Sequence, residues 1–425
     1  MNDLSLFTCG VVCPGRHAAR FLISLVICVL TPLLLNAQVH EGEMGFPEFI
    51  DPEIAGTPKL ERPLLILGGA KPVQTTKHGL IAPALWDWDG DGRRDLLLGD
   101  FATKTESNGF PAGEAGSAIR VYLNVGTDAA PKFTSTYSYA RDTSGDVIEV
   151  PQWCCIGFTP QFVDLNDDGM LDIITGQYHP GEISWFRGSA TGFLPRVKLE
   201  QEGNPAANRL QRGGEDFDEL ESFDYWNYSS ASFGDFDGDG DFDLFVGGSA
   251  LRVSENVGDK RNPKFARRRL LLDIHGKPLR TRVRQSEELT NSEGFGMAMP
   301  AGSAKTQMFV VDWNGDGILD ILATDDYRSV QSMAVAFFRG VITDDGLRFH
   351  PGEDLLPTKD GLKALPGSGT RVYVDDWNRD GVLDLLVGAS VATVNGGDFS
   401  PELSWQWEDV TEVQSAGKDP GLYPP

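Results

Sequence analysis

The chain has 425 residues, a formal net charge of −25 and a hydrophobic fraction of 40%. That acidity argues against a nucleic-acid partner, whose phosphates need basic surfaces, and against docking on anionic lipid. The 49 glycines and 25 prolines place turns throughout the chain, which suits an all-β protein and not a helical one.

From the N-terminus, Arg16 and Arg20 precede the apolar run FLISLVICVLTPLLL, Phe21 to Leu35, and Ala37 precedes QVHEGE. A basic region, an apolar stretch too short to span a bilayer comfortably and a small residue before the cut are the parts of a secretory leader. Residues 1–37 are therefore predicted to be a cleaved signal peptide, with the mature chain secreted, periplasmic or at the cell surface. Cys28 offers a lipid-anchored alternative, which the bulky Ile27 before it disfavours. Only Cys154 and Cys155 remain in the mature chain, too few for a disulfide scaffold or a zinc site. Being adjacent, they either stay as thiols or form a vicinal disulfide in an oxidising compartment.

A lead segment, 38–56, is followed by TPKLERPLLILGGAKPV from Thr57 and then by DWDGDGRRDLLLG from Asp87. Carboxylates about 5 Å apart repel by roughly 3 kcal/mol per pair at an effective dielectric near 20, so solvent or a cation must offset the crowding in that stretch. The stretch recurs as DLNDDGMLDIITG from Asp164, DFDGDGDFDLFVG from Asp235, DWNGDGILDILAT from Asp312 and DWNRDGVLDLLVG from Asp376. Self-similarity at a near-constant period marks an array or a propeller.

Each copy reads as strand, tight loop, strand. A third element alternates with period two: IRVYLNVG from Ile119, EISWFRG from Glu182, LRVSENVG from Leu251, VAFFRG from Val335 and ELSWQW from Glu402. A fourth follows a Pro-Lys-Phe signal, as from Pro131 and Pro263. Four short antiparallel strands make a propeller blade. The segment from Thr57 resembles the fourth-strand region from Asn262, yet it precedes the first acidic loop, and the last repeat ends after its third strand. The expected fold is therefore an all-β, five-bladed β-propeller over 57–413, closed by an N-terminal strand and followed by a tail, 414–425.

In every loop (87–95, 164–172, 235–243, 312–320 and 376–384) the first, third and fifth residues are Asp or Asn, the sixth is Gly and the ninth is Asp. Oxygen side chains at the first, third and fifth positions and a carbonyl at the seventh can surround an ion, with glycine allowing the sharp turn and a later carboxylate closing the shell. Hard oxygen donors without His or Cys select calcium or magnesium, and a flexible loop favours calcium. Solvated Asp-Gly turns would explain one copy; five copies without a gap favour structural calcium, about five ions per chain.

The pattern Asp-x-Asp/Asn-x-Asp-Gly-x-x-Asp, followed by strands of the LNVGT type, resembles the FG-GAP/VCBS repeats of integrin-α-type propellers, over roughly Gly45 to Val413. The resemblance implies calcium in the loops joining the first two strands of each blade. Its ligands would be Asp87, Asp89, Asp91 and Asp95; Asp164, Asn166, Asp168 and Asp172; Asp235, Asp237, Asp239 and Asp243; Asp312, Asn314, Asp316 and Asp320; and Asp376, Asn378, Asp380 and Asp384. Carbonyls of Arg93, Met170, Asp241, Ile318 and Val382 would complete the sets. The chain departs from integrins in blade count, in lacking a membrane span after leader cleavage and in carrying an acidic loop in every blade.

Two further stretches stand out. Gly213 to Ser230 mixes acid with Phe217, Phe223, Tyr225, Trp226 and Tyr228; such aromatics either pack between blades or stack on a sugar or protein ligand. Lys264, Arg267, Arg268, Arg269, Arg280, Arg282 and Arg284 form the basic concentration, read as a solvated edge strand or as a dock for an acidic glycan. The histidines, His179 beside Tyr178 included, are scattered, and no nucleophile elbow, His-Glu-x-x-His pair or phosphate loop occurs. The expected function is binding or adhesion to an extracellular protein or glycan. A polysaccharide-acting, lyase-like enzyme and a structural envelope protein are the alternatives.

Overall fold

The computed structural model describes residues 5–12, 51–73, 81–100, 117–150, 157–177, 181–202, 229–248, 251–281, 306–324, 333–357, 365 and 368–392. Among the described residues there is no helix, so none is long and apolar enough to cross a membrane. The strands arrange as a β-propeller. Each acidic loop turns one short strand back onto the next, and that hairpin seeds a blade.

Among the described residues, four blades are each built from a single stretch of the chain. Blade one comprises Ala82–Trp86, Asp95–Gly99, Ser117–Tyr122 and Ser138–Tyr139, with Glu149–Val150 also pairing the third strand. Blade two comprises Gln161–Val163, Asp172–Thr175, Ser184–Phe186 and Val197–Lys198. Blade three comprises Ser230–Gly234, Asp243–Gly247, Arg252–Ser254 and Arg269–Leu270. Blade four comprises Met308–Val311, Asp320–Thr324, Val335–Phe338 and Glu353–Asp354. Blades two and four carry an extra hairpin, Gly188–Ser189 with Gly192–Phe193 and Gly340–Thr343 with Gly346–Phe349.

The expectation of five such blades is corrected to four. The fifth acidic loop joins Ser368–Asp375 to Asp384–Ala392, but the rest of that sheet comes from the N-terminal end. Ser5–Val12, inside the predicted leader, pairs with Asp384–Ala392, and Leu64–Leu65 pairs with Ser5–Val12 at the edge. The third strand predicted from Glu402 lies outside the described residues. Sequence order could not give this sheet, because its partners are separated by nearly the whole chain.

Second strands are buried on both faces because each blade is packed between neighbours. Alternate side chains serve different cores. Ile173 faces the blade-one core and Ile174 the core shared with blade three. Leu244 and Val246 face that second core, whereas Phe245 faces blade four. Leu386 and Tyr373 of the last sheet lie in the blade-one core, with Leu96 and Leu98. Close approach completes the packing: a side-chain carbon on Gly99, at the end of a second strand, would strike the Phe158 carbonyl at 1.9 Å, and one on Gly388 would strike the Ile81 carbonyl at 2.0 Å.

The outer edges are tied as well. Thr143 donates its N–H to the carbonyl of Phe193 at 2.8 Å, Glu202 to Phe265 at 2.7 Å and Ile274 to Phe349 at 2.9 Å. Each of these bonds runs from one blade to the next. The N-terminal hairpin Leu67–Gly68 with Lys71–Pro72 does the same to blade one, where Gly69 donates to Phe133 at 2.9 Å.

Candidate metal centres

The acidic loops share one hydrogen-bond plan. The first aspartate folds the turn: Oδ1 of Asp87 accepts from Gly90 at 2.9 Å and Asp91 at 3.0 Å, and Oδ2 accepts from Gly92 at 2.9 Å. Asp164, Asp235, Asp312 and Asp376 accept from the sixth residue in the same way, at 2.8–3.0 Å. The fifth carboxylate accepts from the seventh N–H, as Asp91 does from Arg93 and Asp239 from Asp241, both at 2.9 Å. Such amides pull the carboxylates inward around a small space.

The turn needs left-handed backbone at two positions. The sixth residue is always glycine, with φ between 83° and 89°. The fourth is also left-handed, and there Gly90, Asp167, Gly238, Gly315 and Arg379 share the conformation. Glycine, aspartate and asparagine meet it at little cost; no side-chain feature accounts for arginine at the fourth position of the last loop within the loop itself.

The ninth aspartate is the buried member of each loop. Asp95, Asp172, Asp243, Asp320 and Asp384 are at most 1% exposed. One oxygen accepts from the second residue of the loop: Trp88 at 2.9 Å, Leu165 at 3.2 Å, Phe236 at 2.7 Å, Trp313 at 3.0 Å and Trp377 at 2.9 Å. The other accepts from the second residue beyond the third strand: Asn124 at 2.7 Å, Gly188 at 2.7 Å, Asn256 at 2.8 Å and Gly340 at 2.7 Å. This carboxylate therefore brackets three strands as well as facing the loop. Sequence reasoning missed the bracket. Burial raises the pKa of Asp95, and that of Asp172, Asp243 and Asp320 to about 6, against the lowering effect of those backbone donors.

The donor sets fit a hard cation. Asp87, Asp89 and Asp95 each place an oxygen within 4.8 Å of the others, and so do Asp235, Asp237 and Asp239. In the second loop Oδ1 of Asn166 is buried with no hydrogen-bond partner, while its Nδ2 donates to Asp168 at 2.9 Å. An acceptor left in that state beside carboxylates suits an ion-facing oxygen. The third and fifth residues are otherwise near solvent, which gives an ion an entry path.

Other candidate residues are less united. Phe223, Tyr225, Trp226, Tyr228, Tyr178, His179, Cys154, Cys155, Arg282 and Arg284 lie outside the described residues. The basic stretch does not form one solvated edge: Arg268 is buried and donates to Gln201, Ser229 and the Gly181 carbonyl, whereas Arg269 pairs with Glu255 and lies over the Phe236 ring.

Residues 164–246, from the second acidic loop through the second strand of blade three, match the family model of the FG-GAP-like repeat. The resemblance read from the acidic motifs stands on that match. No curated protein matches the chain in sequence. Among solved structures the chain is similar to an Agrocybe aegerita lectin that recognises non-reducing terminal N-acetylglucosamine, at 16% identity over 81% of this chain and 72% of that one, with a TM-score of 0.34. It is also similar to the Photorhabdus luminescens Tc holotoxin pore, at 13% identity over 83% of this chain and 12% of that one, with a TM-score of 0.30. Neither likeness is close enough in shape to carry an argument about a ligand.

Proposed function

We propose that this chain, with its FG-GAP-like repeats, is a secreted, calcium-stabilised β-propeller that acts as a binding or adhesion module for an extracellular protein or glycan. The observation that carries the reading is the common plan of the acidic loops, in which oxygen donors and inward-drawn carboxylates gather at the same place in each hairpin. Flexible all-oxygen sites favour calcium over magnesium, and extracellular calcium is abundant enough to fill sites of modest affinity. A bound ion would tie the first and second strands of each blade together and relieve the repulsion between the loop carboxylates.

Ring closure is supported by two contacts that repeat the ordinary blade-to-blade pattern, Gly388 against the Ile81 carbonyl and Gly69 bonded to Phe133. Removal of residues 1–37 would take Ser5–Val12 out of the last sheet and leave the Asp384–Ala392 edge unpaired on that side. A ring stiffened by metal presents side chains at fixed spacing, which lowers the ordering cost of recognition. Val125 and Val257, on equivalent turns of blades one and three, are 63% and 60% exposed and offer apolar contact on that scaffold.

The test is retention of the purified mature chain on panels of immobilised glycans and extracellular proteins, with calcium and with chelator. Calcium-dependent retention by members of one panel is expected. Retention by neither panel in millimolar calcium would contradict the binding role. Sequencing of the exported chain should begin at Gln38, and an uncleaved N-terminus would contradict the leader.

A further inference from the structure

The repeat is broken by charge at two positions, and the two exceptions meet. The residue before the first loop aspartate is Trp86, Val163, Gly234 and Val311 in four loops but Asp375 in the last. The eighth loop residue is Leu171, Phe242, Leu319 and Leu383 in four loops but Arg94 in the first. Between blades three and four these positions approach closely without charge, since a side-chain carbon on Gly234 would strike Leu319 at 2.6 Å.

Where the last sheet faces blade one, the same positions form an ion pair. Nη1 of Arg94 donates to Oδ1 of Asp375 at 2.7 Å, with the two side chains 17% and 27% exposed. Nη2 of Arg94 donates to the carbonyls of Asp376 and Trp377 at 2.5 and 3.0 Å. A second pair reinforces it: the Arg94 N–H donates to Oδ1 of Asp128 at 2.8 Å, and Nη2 of Arg379 donates to Oδ2 of Asp128 at 2.7 Å. The latter contact also accounts for arginine at the fourth position of the last loop. Trp377 sets its ring against the edge of Phe133, with centroids 5.6 Å apart.

We infer that Arg94 and Asp375, with Asp128 and Arg379, form an electrostatic clasp that fixes the register of ring closure. The inference rests on the closed ring proposed above. Blade faces in a repeat protein are alike and apolar, so one face can receive another in the wrong order. A partly buried ion pair adds little net stability, but either charge placed against an apolar residue loses its partner and is penalised. Closure one blade short, or stacking of the last sheet on another blade of a second copy, would set Asp375 against leucine or phenylalanine, or Arg94 against valine or glycine. Only the last sheet beside blade one satisfies both charges.

The test uses Arg94→Asp, Asp375→Arg and the paired exchange of both, with light scattering for mass and limited proteolysis for integrity. Each single reversal should shift part of the protein into oligomers and speed cleavage about tenfold, as an opened seam would. The paired exchange should return both readouts toward wild type, even where the single variants fail to fold. Single variants as monomeric and resistant as wild type, or a paired exchange no better than the singles, would overturn the clasp. Spin labels at Thr136 and Val382 of the otherwise unaltered chain keep the two readings apart. A long, broad distance there counts against the closed ring itself, whereas a short distance that persists in Arg94→Asp overturns the clasp alone.

Discussion

Each acidic loop contains two kinds of aspartate, and blade four separates them cleanly. Asp316, the fifth residue, stands in solvent and bonds only within its own turn. Asp320, four residues on, is fully buried and holds the N–H groups of Trp313 and Gly340 at the ends of different strands. The motif spells both with the same letter. Burial divides the labour: the rim carboxylate bonds within its own turn, and the bracket carboxylate joins separate strands.

The comparison breaks most sharply on Asp320→Ala. Losing the carboxylate strands two buried N–H groups, each costing about 1–3 kcal/mol, so urea unfolding in chelator should report a loss of roughly 2–6 kcal/mol. Equal stability of this variant and wild type in chelator would erase the bracket.

A half-buried carboxylate outside the loops sharpens the point. Asp354 accepts from Leu356 at 3.0 Å, and burial pushes its pKa up to about 7. Because that value lies above the unfolded one, ionisation destabilises the fold progressively from about pH 4 to about pH 7. Asp354→Asn keeps the acceptor oxygen and removes that loss. It should raise stability at pH 8 by on the order of 2 kcal/mol and change little below pH 4, where denaturant midpoints across pH would show a flat difference if burial were not the cause.

Smaller effects belong to the rim. Asp316→Ala should leave stability in chelator unchanged and remove about 1–2 kcal/mol of the calcium-dependent increment, the equivalent of a roughly tenfold weaker site. Titration calorimetry would register one weakened site; an equal loss in chelator would make Asp316 structural in its own right. Gly92→Ala meets no atom within 4 Å, but φ is 88° there, so the cost is that of left-handed backbone, about 1 kcal/mol.

Much of the fold was legible because the acidic loop is a local structure. The spacing of Asp, Gly and Asp dictates the turn, and the apolar runs on either side must then pair as strands, as Ala82–Trp86 and Asp95–Gly99 do. The third strand at Ile119 followed from alternation, and the fourth from the Pro-Lys-Phe signal. What sequence order hid was long-range. The last sheet takes Leu64–Leu65 from the other end of the chain, with Ser5–Val12 between. The bracketing role of Asp95 depends on an amide at Asn124, far along the chain. The Arg94 and Asp375 exceptions were visible as departures from the repeat, but only their contact gives them meaning.

The central claim is that the acidic loops hold calcium and that calcium holds the blades. Thermal unfolding of the purified chain, calcium-loaded against chelated, with bound calcium counted by elemental analysis, tests it most directly. The expected result is near five ions per chain, one for each of the five loops, and a large fall in Tm on chelation. No bound calcium and an unchanged Tm would contradict the account and leave the loops as solvated acidic turns.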